Sequence, residues 1–267
     1  MDLGLSNAVV VVAGGTTGMG RAAADCFAGD GARVAVLARS RPALEETAAS
    51  LRALGAPDAI GIQTDLLDQP SVEQALAQVG ARWGHCNALV NAAGPFPGGI
   101  KGFEEYSDAE WLEVVNGITL SSVRTVRAAL PLLRQAEWAR IVNVSAMSTK
   151  RQSASLVAYT AAKNALTSLT KNLSMSLAAD GILVNTVSPG TFVSESFKSA
   201  LAMLPDVDEE DLYDVMRYIT RDFGHPVHLN RAGDPKEIGP VIAFAASARN
   251  TYMTGANINV DGGSDFT

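Results

Sequence analysis

Short apolar runs recur along the chain, and longer alanine-rich stretches with helical spacing lie between them. The first three runs are AVVVVA at 8–13, RVAVLA at 33–38 and AIGIQ at 59–63. They are continuously apolar rather than alternating, which is typical of strands that are covered on both faces. Such strands belong to parallel sheets, because the helices that connect them lie over both faces. The pattern therefore predicts an α/β fold.

The same pattern continues to the end of the chain and fixes the expected element order. Strands are predicted at 8–13, 33–38, 59–63, 88–93, 140–145, 182–188 and 256–260, and helices at 18–28, 42–54, 71–83, 108–135, 155–179 and 235–246. Alternating strands and helices indicate a Rossmann-like, doubly wound sheet of about seven parallel strands in a three-layer sandwich. No linker or repeat interrupts the pattern, so we expect one domain over 1–267.

One segment, at about 194–230, departs from this rhythm. It predicts two short amphipathic helices and contains more apolar residues than one buried helix face requires. Two interpretations remain open: ordinary packing against the edge of the sheet, or a lid over an apolar substrate. We refer to residues 194–230 as the insertion.

Composition excludes several classes of partner. The 21 basic and 28 acidic residues give a net charge of −7, which disfavours nucleic acid and anionic membranes. The apolar run near the start is too short to span a bilayer and follows no basic region, so no membrane segment or signal peptide is predicted. Two cysteines and three histidines form neither a disulfide framework nor a metal-binding pattern. We expect a cytoplasmic protein without a metal.

A glycine-rich turn, GGTTGMG at 14–20, follows the first predicted strand and leads into a helix. Glycines allow the backbone to approach a pyrophosphate closely, and the helix amino terminus attracts its negative charge. The spacing is G-x-x-x-G-x-G rather than the more common G-x-G-x-x-G. Its position between a strand and a helix favours a dinucleotide site.

The end of the second predicted strand indicates which dinucleotide is preferred. NAD sites have an acidic residue there that binds the ribose 2′-hydroxyl, whereas this chain has Arg39 followed by Ser40. A guanidinium attracts a 2′-phosphate, so NADP(H) is the predicted cofactor, with NAD(H) as the alternative. The other interpretation is that Arg39 is a solvated surface residue.

The sequence YTAAK places Tyr159 four residues before Lys163. Residues at this spacing share a helix face, so an ammonium could lie beside the phenol and favour the phenolate. An ordinary helix surface produces the same five letters, so the motif alone does not decide between catalysis and packing.

The ordered set of motifs resembles the short-chain dehydrogenase/reductase family over essentially the whole chain. The set comprises GGTTGMG at 14–20, Asp65, NAAG at 91–94, Asn116, YTAAK, SPGTFVS at 188–194, RAGDPKEIG at 231–239 and MTGANINVDGG at 253–263. Because these motifs occur in the family's order, their combination is highly specific.

The resemblance implies a role for each matching residue. A group around the turn would hold the pyrophosphate: Gly14, Thr16, Thr17, Gly18, Met19 and Gly20. Asp65 and the backbone of Leu66 would hold adenine, and Asn91, Ala92 and Gly94 would border the adenosine ribose. Pro189, Gly190, Phe192 and Ser194 would surround the nicotinamide, with Ser194 hydrogen-bonding its carboxamide.

The resemblance also implies hydride transfer between a carbinol or carbonyl carbon and the nicotinamide. Tyr159 would be the acid or base, and Lys163 would lower its pKa and bind the nicotinamide ribose. Asn116 would anchor a water molecule connected to Lys163, which completes a proton relay.

One departure from the family pattern affects the chemistry. The family has a serine thirteen residues before the tyrosine, and this chain has Ala146 there. Side chains alternate along a strand, so Ser145 should face away from the site, whereas Ser148 has the correct parity and lies beyond the strand end. Ser148 is the predicted substitute, with Ser145 second, and loss of both would slow the enzyme about 10²-fold or more. Ala92, in place of a second asparagine, removes a smaller interaction.

The sequence therefore predicts an NAD(P)(H)-dependent oxidoreductase that interconverts a secondary alcohol and a ketone. The expected substrate is bulky and apolar. The loop at 95–106 could line the substrate cleft with Phe96, Pro97 and Phe103, or these residues could serve only the packing of the loop. A non-catalytic dinucleotide-sensing protein on the same fold is the alternative that Ala146 favours. The resemblance further implies a homo-oligomer, a tetramer or a dimer.

Overall fold

Seven parallel strands form one sheet in a computed structural model that describes residues 2–94, 101–204 and 206–264. They are β1 (Val9–Ala13), β2 (Arg33–Ala38), β3 (Ala59–Gln63), β4 (Ala88–Asn91), β5 (Ala139–Val144), β6 (Ile182–Pro189) and β7 (Asn257–Val260). Their order across the sheet is β3-β2-β1-β4-β5-β6-β7. The predicted doubly wound parallel sheet is confirmed.

Helices cover both faces of this sheet within the described residues. They are α1 (Gly18–Gly29), α2 (Arg41–Leu54), α3 (Gln69–Trp83), α4 (Asp108–Val115), α5 (Ser121–Leu133), α6 (Val157–Ser176), α7 (Glu195–Leu201), α8 (Leu212–Phe223) and α9 (Pro235–Ala245). Val10 and Val12 of β1 pack in the cluster that contains residues of α1, α2 and α9. Val9 and Val11 pack in the other cluster, with residues of α3 and α5. Two apolar faces on one strand explain its continuously apolar sequence.

The helix predicted at 108–135 is interrupted in the structure. A π-helical turn (Asn116–Leu120) separates α4 from α5, and the N–H of Ser121 donates to the carbonyl of Asn116. Thr119 Oγ1 donates to the carbonyl of Ala162 on α6, at 2.9 Å. The turn therefore lies where this long helical segment contacts α6, and π-turns of this kind are frequent at functional sites.

The insertion contains the two predicted short helices, α7 and α8. Its apolar residues pack mainly with one another, in a cluster that includes Leu201, Val215, Met216 and Ile219. Asp211 caps α8 by accepting from the N–H of Tyr213, and Gly224 ends the helix in the left-handed conformation. The insertion thus has a small core of its own.

The carboxyl ends of the parallel strands meet at one edge of the sheet. The chain leaves β1 in one direction and β4 in the other, which creates the crevice where doubly wound sheets bind ligands. None of the helices in the described part of the chain combines the length and apolar content needed to cross a bilayer.

Candidate active site

The glycine turn lies at this edge, directly against the segment that follows β4. Gly14 and Gly18 have positive φ angles of 82° and 56°, which favour glycine. A β-carbon on Gly14 would lie 2.6 Å from the backbone nitrogen of Ala93. Glycine is therefore required here both by conformation and by close packing.

The amino terminus of α1 fits the phosphate group of a dinucleotide. Its N-cap, Thr17, makes no side-chain hydrogen bond to the helix, and its first turn contains no acidic residue. By contrast, Asp68 caps α3 and Asp234 caps α9 with side-chain oxygens. The first amide groups of α1 are thus free of a side-chain cap and favour an anion.

Arg39 and Ser40 follow β2 at the same edge, and both are exposed. Within 2–94, 101–204 and 206–264, Arg39 forms no ion pair with a carboxylate. Ser40 is the N-cap of α2 but makes no side-chain capping bond. A guanidinium and a hydroxyl without an ion pair or capping bond to the described part of the chain fit a 2′-phosphate.

The two residues predicted near adenine are held mainly by local contacts. Asp65 Oδ1 accepts from the N–H of Leu67 at 2.9 Å, and the N–H of Asp65 donates to Ser71 Oγ. The carbonyl of Leu66 accepts from Arg124 of α5 at 3.4 Å. These bonds fix the loop after β3 in position beside the site.

Asn91 uses its carboxamide inside the protein. Its Nδ2 donates to Asn143 Oδ1 at 2.8 Å, and its Oδ1 accepts from Thr125 Oγ1 at 2.7 Å. The bonds join β4, β5 and α5, so the side chain of Asn91 has a structural role and does not point its carboxamide groups at a ligand. A β-carbon on Gly94 would lie 2.9 Å from Lys163 Nζ. The 91–94 segment therefore reaches the predicted catalytic lysine.

The segment predicted to surround nicotinamide follows β6. Pro189 is the last residue of β6, and the N–H of Gly190 donates to the carbonyl of Val260 at 2.9 Å. Ser194 lies beside the glycine turn, because a β-carbon on Gly18 would be 3.2 Å from the β-carbon of Ser194. The ring of Phe192 packs directly on Gly233, and a β-carbon on Gly233 would overlap that ring. The segments predicted to hold the pyrophosphate and the nicotinamide are thus neighbours in the structure.

Tyr159 and Lys163 face the same side of α6, as their spacing predicts. Lys163 Nζ lies 5.6 Å from the centre of the Tyr159 ring, and it donates to the carbonyl of Val144 at 2.8 Å. Lys163 is only 4% exposed. A nearly buried ammonium beside a phenol is the arrangement that proton transfer by tyrosine requires.

Burial sets the protonation of this pair in the protein alone. It raises the pKa of Tyr159 to about 12 and lowers the pKa of Lys163 to about 8, because each charged form loses hydration. The expected stabilisation of phenolate by the ammonium is therefore outweighed here by burial. At neutral pH the tyrosine is a neutral proton donor beside a lysine that is largely charged.

The serines near Ala146 differ in their partners. Ser145 Oγ donates to the carbonyl of Lys163 and pairs with Thr167 Oγ1 at 3.0 Å, so it is bound to α6. Ser148 lies in a short 3₁₀ turn (Met147–Thr149) directly after β5 and is 3% exposed. Its buried hydroxyl has no hydrogen-bond partner among the described residues. A buried hydroxyl without a protein partner is available to bind a water molecule or a ligand.

Asn116 does not contact Lys163 in any hydrogen bond of the described residues. Its Oδ1 accepts from Arg124 Nη2 at 2.7 Å, and its carbonyl accepts from the N–H of Ser121. Ile118, two residues later, is fully buried among Ala158, Ala162 and other apolar residues of the α4–α6 contact. The proton relay through Asn116 stays a prediction without a supporting contact.

Sequence reasoning did not identify two arginines near the site, Arg124 and Arg151. Neither belongs to a motif, and both act through bonds to distant backbone carbonyls. The predicted substrate loop lies partly outside the described residues, which exclude Phe96 and Pro97. Phe103, which belongs to the described part of this loop, is 68% exposed.

Comparison with known proteins agrees with this geometry. The family model for short chain dehydrogenase matches residues 8–204. The meso-2,3-butanediol dehydrogenase of Serratia marcescens is 30% identical, over 96% of this chain and 94% of its own length. L-sorbose reductase of Gluconobacter frateurii, solved with NADPH and L-sorbose, is 27% identical, with a TM-score of 0.90 and complete coverage of both chains. A variant of actinorhodin polyketide ketoreductase with NADPH is 29% identical, covers 98% of each chain and has a TM-score of 0.85.

The chain belongs to the short-chain dehydrogenase/reductase family. It is accordingly an NAD(P)-dependent oxidoreductase that acts on CH–OH groups.

Proposed function

We propose that this protein interconverts a secondary alcohol and a ketone, with Tyr159 as the acid and base. The observation that carries this proposal is the position of Lys163 Nζ, nearly buried and 5.6 Å from the Tyr159 ring centre. Proton transfer at the substrate oxygen needs a donor whose anion is stabilised after the proton leaves. Lys163 provides a positive charge at that place.

Each residue of the chain has a separate task in this reaction. When bound, the nicotinamide supplies the hydride in reduction or accepts it in oxidation. Tyr159 donates its hydroxyl proton to the carbonyl oxygen during reduction and takes the proton back during oxidation. Because the pKa of Tyr159 is about 12, the proton is present at neutral pH. The ammonium of Lys163 lowers the free energy of the phenolate that remains.

Ser148 is proposed to donate a second hydrogen bond to the substrate oxygen. Its hydroxyl is buried and has no hydrogen-bond partner within 2–94, 101–204 and 206–264, whereas the hydroxyl of Ser145 is bound to α6. A donor aimed at developing negative charge lowers the barrier by about 3–4 kcal/mol in comparable sites. Ser148 would thus supply the hydrogen bond to the substrate oxygen that Ala146 cannot donate.

NADP(H) is the proposed cofactor, and Arg39 is the residue proposed to select it. The guanidinium lies at the carboxyl end of β2, where an acidic residue would repel a 2′-phosphate. Two similar structures contain NADPH, the sorbose reductase and the actinorhodin ketoreductase. NAD(H) is the alternative cofactor, and measured dissociation constants of NADPH and NADH decide between the two.

A bulky apolar ketone is the proposed substrate class, with the insertion as its lid. The insertion follows the segment proposed to hold nicotinamide, and its separate core allows it to keep its shape as a unit. The names of the similar proteins mention a butanediol, L-sorbose and a polyketide, so they support the reaction type rather than one substrate.

A homo-oligomer, most simply a tetramer or a dimer, is proposed from membership of the family, whose members usually assemble through their long helices. Exposed apolar side chains that a second copy could cover include Leu112 of α4, which is 70% exposed. Sedimentation at micromolar concentration should give a mass above that of one chain, and a monomer would exclude this proposal.

A cytoplasmic location is proposed from the state of the cysteines. Cys26 and Cys86 are free thiols, and Cys86 is buried where burial raises its pKa to about 12. Free cysteines fit a reducing compartment. Fractionation of cells that contain the tagged protein tests this location.

The test of the reaction uses purified protein, NADPH and a panel of ketones, followed by the absorbance of reduced nicotinamide. We expect turnover with at least one bulky ketone, and its loss in the Tyr159→Phe variant. NADPH binding with no turnover, and identical behaviour of the variant, would favour the dinucleotide-sensing alternative.

A further inference from the structure

The turn that contains Ser148 is closed by local hydrogen bonds. The N–H of Thr149 donates to the carbonyl of Ala146 at 3.2 Å, and the N–H of Arg151 donates to the carbonyl of Met147 at 3.1 Å. These bonds shape the turn but do not attach it to other parts of the chain. Its position relative to the site must therefore depend on longer-range contacts.

Arg151 provides such contacts through its guanidinium. Its Nη2 donates to the carbonyl of Gly224 at 3.1 Å, and its Nη1 donates to the carbonyls of Pro226 and Ser264 at 3.1 and 3.3 Å. The Pro226 and Ser264 carbonyls lie 75 and 113 residues away in sequence. One side chain therefore joins the Ser148 turn, the end of α8 and the C-terminal segment.

The chemistry of this contact suits arginine. Gly224 is the C-cap of α8, and carbonyls at a helix carboxyl end carry partial negative charge that a cation stabilises. The planar guanidinium presents several donors in fixed directions, whereas lysine presents a single compact ammonium. His225 lies in sequence between the acceptor residues Gly224 and Pro226. Burial, together with the positive charge of Arg151, lowers the pKa of His225.

We propose that Arg151 is a positioning residue, which fixes the Ser148 hydroxyl toward the substrate by holding its turn against the end of the insertion and the C-terminal segment. The proposal rests on the role of Ser148 given above. It also couples the insertion to the catalytic turn, because Gly224 and Pro226 belong to the insertion and contact the same guanidinium.

The experiment is a double-mutant cycle with Arg151→Ala and Ser148→Ala, measured as kcat for ketone reduction with saturating NADPH. We expect Arg151→Ala to lower kcat about 10-fold in the wild-type background and less than about 2-fold in the Ser148→Ala background, because both changes remove one interaction. The dissociation constant of NADPH should change little. Equal losses in both backgrounds, or no loss in either, would overturn the proposal.

Controls separate positioning from general damage to the fold. Arg217→Ala removes an exposed arginine of α8 that pairs only with nearby Asp214 among the described residues, and it should leave kcat unchanged. Arg151→Lys keeps the positive charge but loses the planar guanidinium with its several donors. Its kcat should therefore lie between the kcat of wild type and that of Arg151→Ala. If Arg151→Ala does not fold, the cycle is run with Arg151→Lys, and equal losses there also reject the proposal.

The outcomes also distinguish this inference from the proposed function. An unchanged kcat in Ser148→Ala removes the role of Ser148, and with it this inference. A lowered kcat in Ser148→Ala combined with an unchanged kcat in Arg151→Ala leaves the proposed function and rejects only the role of Arg151.

Discussion

The nucleotide side and the substrate side of the candidate site are built in different ways. Around the glycine turn, the necessary features are positive φ angles, the uncapped start of α1 and the exposed side chain of Arg39. Around Ser148, Tyr159 and Lys163, they are side-chain contacts between segments far apart in sequence. Backbone geometry therefore determines one side, and side-chain packing determines the other. Substitutions should consequently affect cofactor affinity on the first side and turnover on the second.

The largest effect is expected from Tyr159→Phe. Loss of the proton donor should lower kcat about 10²- to 10⁴-fold, the usual range for general acid catalysis. The dissociation constant of NADPH, measured by fluorescence titration, should remain within about twofold of wild type, since α1 and Arg39 are unchanged. A kcat equal to that of wild type would place the acid elsewhere and remove the separation of the two sides.

A smaller loss of turnover is expected from Ser148→Ala, with Ser145→Ala as its matched control. Removal of a donor to the substrate oxygen should lower kcat about 10²- to 10³-fold without unfolding the protein. Ser145→Ala should affect thermal stability more than kcat, because that hydroxyl binds α6. The reverse ranking of the two variants would identify Ser145 as the catalytic serine.

Arg39→Ala tests the nucleotide side alone. A charge-assisted hydrogen bond contributes about 1.5–3 kcal/mol, so NADPH should bind about 10- to 100-fold more weakly. NADH binding should change little, and kcat at saturating NADPH should be retained. Equal weakening of both dinucleotides would show that Arg39 does not select the 2′-phosphate.

The pH dependence gives the smallest expected change. The pKa of Lys163 is lowered to about 8, so its ammonium predominates below pH 8 and is lost above it. We expect kcat/KM for NADPH, which reports the free enzyme, to fall to about half of its neutral-pH value at pH 8 and to about a tenth at pH 9. Lys163→Arg should lower activity yet remove this decline, because arginine keeps its charge. A wild-type profile that is flat to pH 10 would contradict the assignment.

Most of the fold could be predicted because its determinants are local. The predicted bounds of β2 and β3 are confirmed, and Ser107 and Asp234 cap α4 and α9 near the predicted helix starts. The interruption of the predicted 108–135 helix was missed. Its π-turn coincides with a contact between Thr119 and α6, which lies 43 residues further along.

The candidate site was predictable to a different degree. Strand parity predicts different surroundings for Ser145 and Ser148, since alternation along a strand is a local rule. Ser145 is bound to α6, whereas Ser148 has no hydrogen-bond partner among the described residues. The bond between Asn116 and Arg124, and the bonds of Arg151 to three carbonyls, depend on side-chain conformations and on segments brought together only by folding. The protonation of Tyr159 also could not be read from spacing, because burial outweighs the neighbouring charge.

The separate core of the insertion has an evolutionary consequence. Leu201, Val215, Met216 and Ile219 are buried together rather than in the two clusters that flank the sheet. Random changes in α7 and α8 can therefore accumulate while the strands that carry the chemistry retain their packing. Directed evolution of new substrate preferences in this protein should begin in those two helices.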